Sequence, residues 1–587
     1  MTVEARLTRA LRDSRIRSRA ALALIAGVVG LLAWPTLRAF FHLSYAAVGR
    51  DTGIYQFVAW AMLRGQRPYL DLRENNGPLI YLIHLFAVRF GGESEHFLRA
   101  LDVLLQSVAY AFAGFVAGSS WSAQGRAGRA EQALRRVLFG AFGVVVLASQ
   151  YLVYDWWATA QRESTYNAVL LVGLSLQLSV HQRAARRNDP GFDRKDAALL
   201  IASGGLVAAT WFGKPTYVAC SVAQAGCLLV DPKLSGFRQR CCAWLGVGSV
   251  AMASAFLAFM VATCDLTAFV RIVLIEAPRY YVPIWRQTLF GTYFLGHNAP
   301  LLNQGLITLA LFGFALAKRW LPRGILIAGL PLIFGLLTFF GQRKGFYYHL
   351  HPVTCGAYWL WVVVGGYLYD QLSSSRSTRT MPASAIALVM LCGACAYQGF
   401  GNITMSTFYN PSWMPSAIRP ESRDTREFYA QFEARDFEGY NMRRAAEFLM
   451  RNTGPAETVQ TYGLEPYLLF LAQRKTATPF IYLYDLNMTP ALAGGPGGAP
   501  SAEEASEIRR LQNRNARDLA EGLRARPPGA FVLIDHAPMA YAPDALVDFQ
   551  AQCPDAARWM VDHYAESAKF GSFRVFLPKT RQPETTR

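Results

Sequence analysis

The stretch GRDTGIYQFVAWAMLRGQRPYLDLRENNGPLIY, Gly49 to Tyr81, puts Asp51 just beyond an apolar run long enough to cross a membrane. Ile54, Val58, Ala61 and Met62 follow at helical spacing, so Asp51 stands in a first helical turn. There it can cap backbone N–H groups, and the helix dipole orients the carboxylate and keeps it ionised. Two more acids, Asp155 and Glu163, lie in YDWWATAQRESTYN. Asp155, beside two tryptophans, reads as solvated interface, and Glu163 has Arg162 next to it as an ion-pair partner. A third stretch, GQRKGFYYHLHP (Gly341 to Pro352), concentrates two cations, three aromatics and two histidines. Arg343 can grip an anionic oxygen group such as a phosphate by a fork of hydrogen bonds, and Lys344 can do so as a point charge. His349 or His351 can donate to the same group or ligate a metal. Basic residues at such a place also meet lipid headgroups. Lys214, in WFGKPTY, is a similar cation that can equally snorkel to an interface.

The elements that must position these groups follow from composition. In 587 residues, 52% of side chains are hydrophobic and 17% charged, too apolar for a soluble chain of this size and typical of a polytopic α-helical membrane protein. The net charge of +18 lies in short clusters between apolar runs, where it sets orientation by the positive-inside rule and calls for no nucleic acid. Nine cysteines, mostly inside apolar runs, make neither a disulfide framework nor a zinc site, and the Cys392-x-x-Cys395 pair is helix packing. Eleven spans are expected: near Ala20 to Phe41, Phe97 to Gly118, Val137 to Val153, Tyr166 to Val180, Ala197 to Phe212, Thr216 to Val230, Cys242 to Thr263, Pro300 to Leu316, Ile325 to Phe340, Val353 to Tyr369 and Ala383 to Phe400. Basic residues occupy every second loop: Arg6, Arg9 and Arg12 before the first span, Arg126 and Arg135, Arg183 to Lys195, Lys233 to Arg240, Lys318 to Arg323, and Arg376 and Arg379. The N-terminus is then cytoplasmic, and the chain turns at Lys214 on the outer side.

Residues 1–400 are thus expected to form the membrane domain, and residues 401–587 a small extracytoplasmic α/β domain joined through a linker at 401–439. The tail has strand-like TVQTYG, AFVLID and SFRVFL, a helix-like YNMRRAAEFLMRNT, and helical periodicity from Glu503 to Arg524. GGPGGAP, Gly494 to Pro500, lacks the Lys-Ser/Thr ending of a phosphate cradle and reads as a flexible loop. In the first outer loop, the segments from Asp51 to Arg64 and from Asn75 to Gly92 read as helices lying flat at the membrane surface. The loop from Asp265 to Asn298, with EAPRYYVPIWRQ, reads as another interfacial helix or lid carrying Arg279 and Arg286.

An acidic residue past the first span, DTGIYQFVAWAMLRGQRPYLD, a segment ending in Gly-Pro, an amphipathic helix and FLRALDVLL together resemble the first outer loop of the GT-C superfamily. Its members are integral-membrane glycosyltransferases that include protein O-mannosyltransferases, aminoarabinose transferases and lipopolysaccharide galacturonosyltransferases. The likeness is strongest over residues 49–102 and general elsewhere. It implies a sugar carried on a polyprenyl phosphate, an acceptor in the cell envelope, and the outer face of a bacterial inner membrane. It implies Asp51 as general base toward the acceptor hydroxyl, and Glu163 as a second active-site carboxylate that orients the acceptor or binds a divalent metal where one is used. Polyprenyl phosphate leaves on an acidic oxygen, so one carboxylate suffices where a glycosidase needs two, but it needs positive charge nearby. Arg343, Lys344, His349, His351 and Lys214 are the donor-phosphate candidates. Tyr55, Asn76, Arg162, Arg279 and Tyr348 are the candidates for substrate contact. Gly77 departs from the pattern, because many relatives carry lysine there. A transporter or flippase of lipid-linked saccharides is the alternative, although it calls for ionisable groups at the bilayer midplane and for internal repeats.

Overall fold

The computed structural model describes residues 14–122, 129–187, 191–374, 381–419, 424–434 and 436–581. Arg6, Arg9, Arg12, Arg126, Arg376 and Arg379 of the expected basic loops lie outside the described residues. Helix α1 (Ser14–Leu43) is followed by two short helices, α2 (Arg50–Leu63) and α3 (Leu79–Gly91), and then by the long helices α4 (Glu95–Ala117), α5 (Arg129–Tyr151) and α6 (Arg162–Arg186). Next come α7 (Arg194–Ala209), α8 (Val218–Val230) and α9 (Arg238–Thr263), the short helix α10 (Ala277–Trp285), and α11 (Asn298–Ala317), α12 (Leu326–Gln342), α13 (His351–Ser374) and α14 (Met381–Thr404).

A helix stands at each of the eleven expected spans, and seven of the described helices are long and apolar enough to cross a membrane. The chain is a multi-pass membrane protein. α6 and α13 fall outside the seven because they carry polar residues such as Gln177, His181 and Asp370, which their inside positions bury and pair. His181 Nδ1 meets Asp231 at 2.6 Å, and Asp370 accepts from Arg135 at 2.9 Å. α7 and α8 are the tight pair that turns at WFGKPTY, through two 3₁₀ turns on either side of Lys214. α4 and α5 cross so closely that a Cβ on Gly114 would stand 2.2 Å from the Phe139 carbonyl. All nine cysteines are free.

The tail carries α15 (Gly439–Asn452), α16 (Ala502–Ala525), α17 (Ala545–Gln552) and α18 (Pro554–His563) around one five-stranded sheet. Its strands are β1 (Thr458–Tyr462), β2 (Lys475–Thr476), β3 (Ala530–Ile534), β4 (Tyr564–Phe570) and β5 (Phe573–Pro578), in the order β2-β1-β3-β5-β4. β1 pairs in parallel with β2 and β3, and β5 runs antiparallel to β3 and β4. The three strand-like runs are β1, β3 and β5. β4 alternates poorly between buried and exposed residues, which hid it from a periodicity reading.

One helix is more enclosed than expected. α2 does not keep a single greasy face; residues Thr52 to Ala61 are all buried. The tail covers it. Trp60 Nε1 donates to Gln473 Oε1 at 2.9 Å, and Tyr467 packs so close to Gly53 that a Cβ there would meet its ring at 2.6 Å. The GGPGGAP loop is likewise engaged: Gly495 N donates to the Pro283 carbonyl at 2.9 Å and Gly497 N to that of Arg286 at 2.8 Å, clasping the end of α10.

A buried charge network locks the tail to the outer loops. Arg73 donates to Asp485 (3.0 Å) and Glu276 (2.7 Å), while Tyr280 adds a hydroxyl to Asp485 and Arg514 reaches Glu276 at 2.8 Å. Removing one partner of a buried ion pair leaves the others uncompensated and costs about 3–5 kcal/mol. Arg73→Ala is expected to lower the thermal unfolding midpoint in detergent and to open the tail to limited proteolysis. An unchanged midpoint and digestion pattern would show that the network does not hold the tail.

Candidate active site

A cavity of about 440 Å³ lies where the first outer loop, the start of α6, the Lys214 turn, α10, the loop before α13 and the tail meet. Asp51, Tyr55, Asn76, Arg162, Lys214, Lys344 and Tyr348 all line it. The fold thus brings seven of the sequence candidates, from Asp51 to Tyr348, to one place.

Asp51 is not the cap of α2. The N-cap is Gly49, in extended backbone (φ −84°, ψ 175°), and no side chain caps the helix. The carboxylate is not spent on the helix; it lines the cavity and is hydrogen-bonded by the Gln161 side chain. Burial raises its pKa above the ordinary aspartate value, opposed by Arg162 and then Arg50. Arg50, its neighbour, was passed over in the sequence. It donates to Glu465 at 2.5 Å, to the Asp436 carboxylate at 3.3 Å and to the Asp436 carbonyl, with Trp157 and Phe437 rings over its guanidinium.

Glu163 does not line the cavity but stands behind it, 2% exposed. Its Oε1 accepts from Arg162 Nε at 3.2 Å and Lys214 Nζ at 3.2 Å, and His349 Nε2 lies 3.5 Å away. One oxygen therefore gathers two cations and a histidine from three separate segments. Lys344 has no such anchor. Its ammonium lies 4.1 Å over the Tyr281 ring, and among the described residues no carboxylate pairs with it. Burial pushes its pKa well below the ordinary lysine value, and Lys214 and Arg162 push it further. Lys214 and His349 are lowered too, chiefly by burial.

Three candidates point elsewhere. Arg343 ends α12 in the left-handed region (φ 49°), which turns its side chain out of the cavity; it is exposed. His351 stacks on Tyr154 at 3.7 Å and bonds the Ala158 carbonyl through Nε2, bracing the second outer loop. Arg279 pairs with Glu507 of the tail at 2.9 Å and does not line the cavity. Among the described residues no three His, Cys, Asp or Glu side chains converge as a metal ligand set.

The FLRALDVLL segment explains how the rim is held. Arg99, fully buried, donates to the carbonyls of Ala47, Trp156 and Thr159. Asp102 accepts from Tyr151 at 2.6 Å, and the Tyr151 hydroxyl in turn accepts from Ala160 N at 2.8 Å. Ala160 is held in the left-handed region (φ 56°), a strained backbone that the surrounding bonds over-determine, immediately before Gln161 and Arg162. Glu74, fully buried, accepts from the Asn75 and Asn76 backbone, the Asn76 amide and Tyr482, and so shapes the loop before Gly77.

No family model matches the chain, and no curated protein sequence matches it. Solved structures do. ArnT from Cupriavidus metallidurans in the apo state superposes with a TM-score of 0.50 at 14% identity, over 94% of this chain and 98% of that one. The Archaeoglobus fulgidus oligosaccharyltransferase in the apo form gives 0.41 at 13%, over 97% and 75%. AglB of the same organism, solved with an inhibitory peptide and a dolichol-phosphate, gives 0.44 at 12%, over 96% and 75%. The likeness to ArnT is one of fold.

Gly77 now has a physical reason. A Cβ at this position would stand 2.2 Å from the Phe212 carbonyl oxygen and 2.7 Å from that of Gly213. The missing side chain lets the turn before Lys214 pack directly on the first outer loop, delivering Lys214 into the cavity that this loop borders. Gly77→Ala is expected to cost about 1–3 kcal/mol by overpacking and to move Lys214 from Glu163. The check is the thermal midpoint of the variant together with that of Gly77→Ala/Lys214→Met. A fully stable Gly77→Ala protein would refute the contact.

Proposed function

We propose that this protein is a glycosyltransferase that moves a sugar from a polyprenyl-phosphate donor to an acceptor of the bacterial cell envelope, at the outer face of the inner membrane. The single observation that carries the reading is that one cavity holds both the Asp51 carboxylate and the Lys344 amine, which has no carboxylate partner among the described residues. Desolvation favours the neutral amine, and a phosphate is the counter-ion that would keep it charged.

In this reading the acceptor oxygen attacks the anomeric carbon while Asp51 takes its proton. The bond from that carbon to the phosphate oxygen breaks, and the departing polyprenyl phosphate carries the electron pair. Lys344, Lys214 and Arg162 meet the extra charge on it. Burial favours the neutral form of Asp51, which makes it a better proton acceptor near neutral pH than a solvated aspartate. Glu163 is a positioning residue: with Arg162 and Lys214 on one of its oxygens, it holds two cations close against their mutual repulsion.

The orientation rests on charge. α6 runs from Arg162 at the cavity to Arg183 and Arg186 at its far end, and α12 from the Arg323 turn to Gln342 beside the cavity. The positive-inside rule puts the basic ends in the cytoplasm, and hence the cavity and the tail outside.

Asp51→Asn is expected to cut turnover of a polyprenyl-phosphate sugar by roughly 10²–10⁴-fold while leaving donor binding within a few-fold. Lys344→Met should instead raise the donor KM by about 10–100-fold, the worth of one charged hydrogen bond. Both are checked by steady-state kinetics on the purified chain in nanodiscs; a fully active Asp51→Asn protein would exclude the base. The pH dependence has a definite sign. The base works when ionised, so kcat/KM falls as pH drops through an Asp51 pKa raised above the ordinary aspartate value, and this acid limb disappears in the residual activity of Asp51→Asn. An acid limb at the ordinary aspartate value, or one that survives the substitution, would contradict the assignment.

A further inference from the structure

We propose that the turn at Gly495 to Gly497 of the tail is a positioning element for the donor site: it fixes the end of α10, and the end of α10 holds Lys344 in the cavity. For its kinetic consequence the inference rests on the transferase reading above; for its geometry it rests on backbone contacts. It starts from the placement of Lys344. The amine lines the cavity, and among the described residues no carboxylate pairs with it, so no ion pair keeps it there. The chain on either side of it does.

Lys344 stands between two residues in the left-handed region, Arg343 (φ 49°) and Gly345 (φ 70°). Glycine adopts that backbone freely, whereas for arginine it is costly and persists only where the surroundings over-determine it. Both carbonyls are held. Gln287 N donates to the Arg343 carbonyl at 2.7 Å, and Asn298 Nδ2 donates to that of Gly345 at 2.7 Å. Gln287 follows directly on the end of α10, and Tyr281 of that helix lies under the Lys344 amine at 4.1 Å. Tyr281 packs in turn on Tyr484 of the tail, with ring centroids 5.3 Å apart. Lys344 thus rides on α10 through one backbone bond and one aromatic face. Freed of the Gln287 bond, Arg343 can return to the right-handed region, which would turn Lys344 away from the cavity.

The end of α10 is itself set by the tail. Gly495 N donates to the Pro283 carbonyl at 2.9 Å, and Gly497 N donates to that of Arg286 at 2.8 Å, one residue before Gln287. The turn is closed on itself by Gly498 N, which donates to the Gly495 carbonyl at 3.0 Å. Two backbones meet here with no room for a side chain. A Cβ on Gly495 would stand 2.3 Å from the Arg286 carbonyl oxygen, and one on Gly497 would stand 2.7 Å from that of Gln287. A methyl at 497 meets the peptide of Gln287 itself, so it must displace the residue that holds Arg343. The other tail contacts of α10, Arg279 with Glu507 and Tyr280 with Asp485, lie earlier along the helix. GGPGGAP therefore has a use that needs its glycines: backbone contact with the segment that carries the donor-site lysine.

The test reads the position of residue 344 without calling on catalysis. Lys344→Cys is made in the full chain in nanodiscs, and alkylation of the new thiol by a charged, water-soluble maleimide is followed by mass spectrometry of the peptide that carries it. A thiol that leaves the pocket for water gains access and thiolate character together, so adding Gly497→Ala is expected to speed alkylation about tenfold. Gln287→Pro deletes the N–H given to Arg343 and follows Arg286 in the extended backbone (ψ 115°) that a residue before proline needs; it carries the same expectation. Arg279→Ala removes a tail contact off this path and should leave the rate at that of Lys344→Cys alone. Equal rates in all four proteins would overturn the proposal, as would an Arg279→Ala rate raised as far as that of Gly497→Ala, the mark of general loosening. With the native lysine and a polyprenyl-phosphate sugar, Gly497→Ala should raise the donor KM about fivefold, hold kcat within about twofold, and add nothing to the KM of Lys344→Met. Effects that add in the double variant would overturn the route through Lys344. Equal alkylation rates leave the transferase reading standing, whereas a parent protein that transfers no sugar but shows the alkylation difference sinks that reading and keeps the positioning element.

Discussion

The arrangement depends on one buried oxygen. Glu163 Oε1 accepts from Arg162 and from Lys214 and faces His349, so three segments far apart in sequence converge on a single negative charge. Without it, two cations in a low-dielectric pocket would repel each other and the helix start, the Lys214 turn and the loop before α13 would have no reason to meet. That one carboxylate is shared between two cations leaves positive charge in excess. Lys344 lies nearby over the face of Tyr281, where desolvation and these cations favour its neutral amine. An anion would supply the counter-ion that keeps it charged, which is the physical content of the proposed donor site.

The tail is part of the same construction. Arg73, Asp485, Glu276 and Arg514 tie the first outer loop, the segment before α10 and the tail into one buried network. Arg50 does the same at the other end, joining the residue before Asp51 to Glu465 and Asp436. The carboxylate proposed as base is consequently held from two sides, by its own helix and by a domain that begins more than three hundred residues later. Covering α2 with the tail also removes water from around Asp51, and that burial raises its pKa. Catalytic tuning and domain packing are in this way the same interaction.

The membrane helices were legible because hydropathy and alternating basic loops are local signals, and even the tight α7/α8 pair followed from the parity of charge. Asp51 stood out for a related reason, an acid at a water boundary. Which of two adjacent cations faces inward was not legible: Arg343 adopts a left-handed backbone at the end of α12 and turns outward, while Lys344, one residue on, turns in. His351 looked like a ligand but is satisfied by Tyr154 and the Ala158 carbonyl, contacts no spacing rule reveals. Arg50 was in plain view beside Asp51, and a buried arginine partner was the signal to seek. Tyr482 and Tyr484 carried none, since they reach the cavity only through the fold of the tail. The full enclosure of α2 was not legible because the surface that buries its other faces is contributed by residues such as Tyr467 and Gln473.

The most direct examination of the central claim is a structure of the chain in nanodiscs with bound polyprenyl phosphate. The account places the phosphate against Lys344, with Arg162 and Lys214 around it and the Asp51 carboxylate across the cavity. A phosphate seated instead at the exposed Arg343, or anywhere outside this cavity, would contradict it.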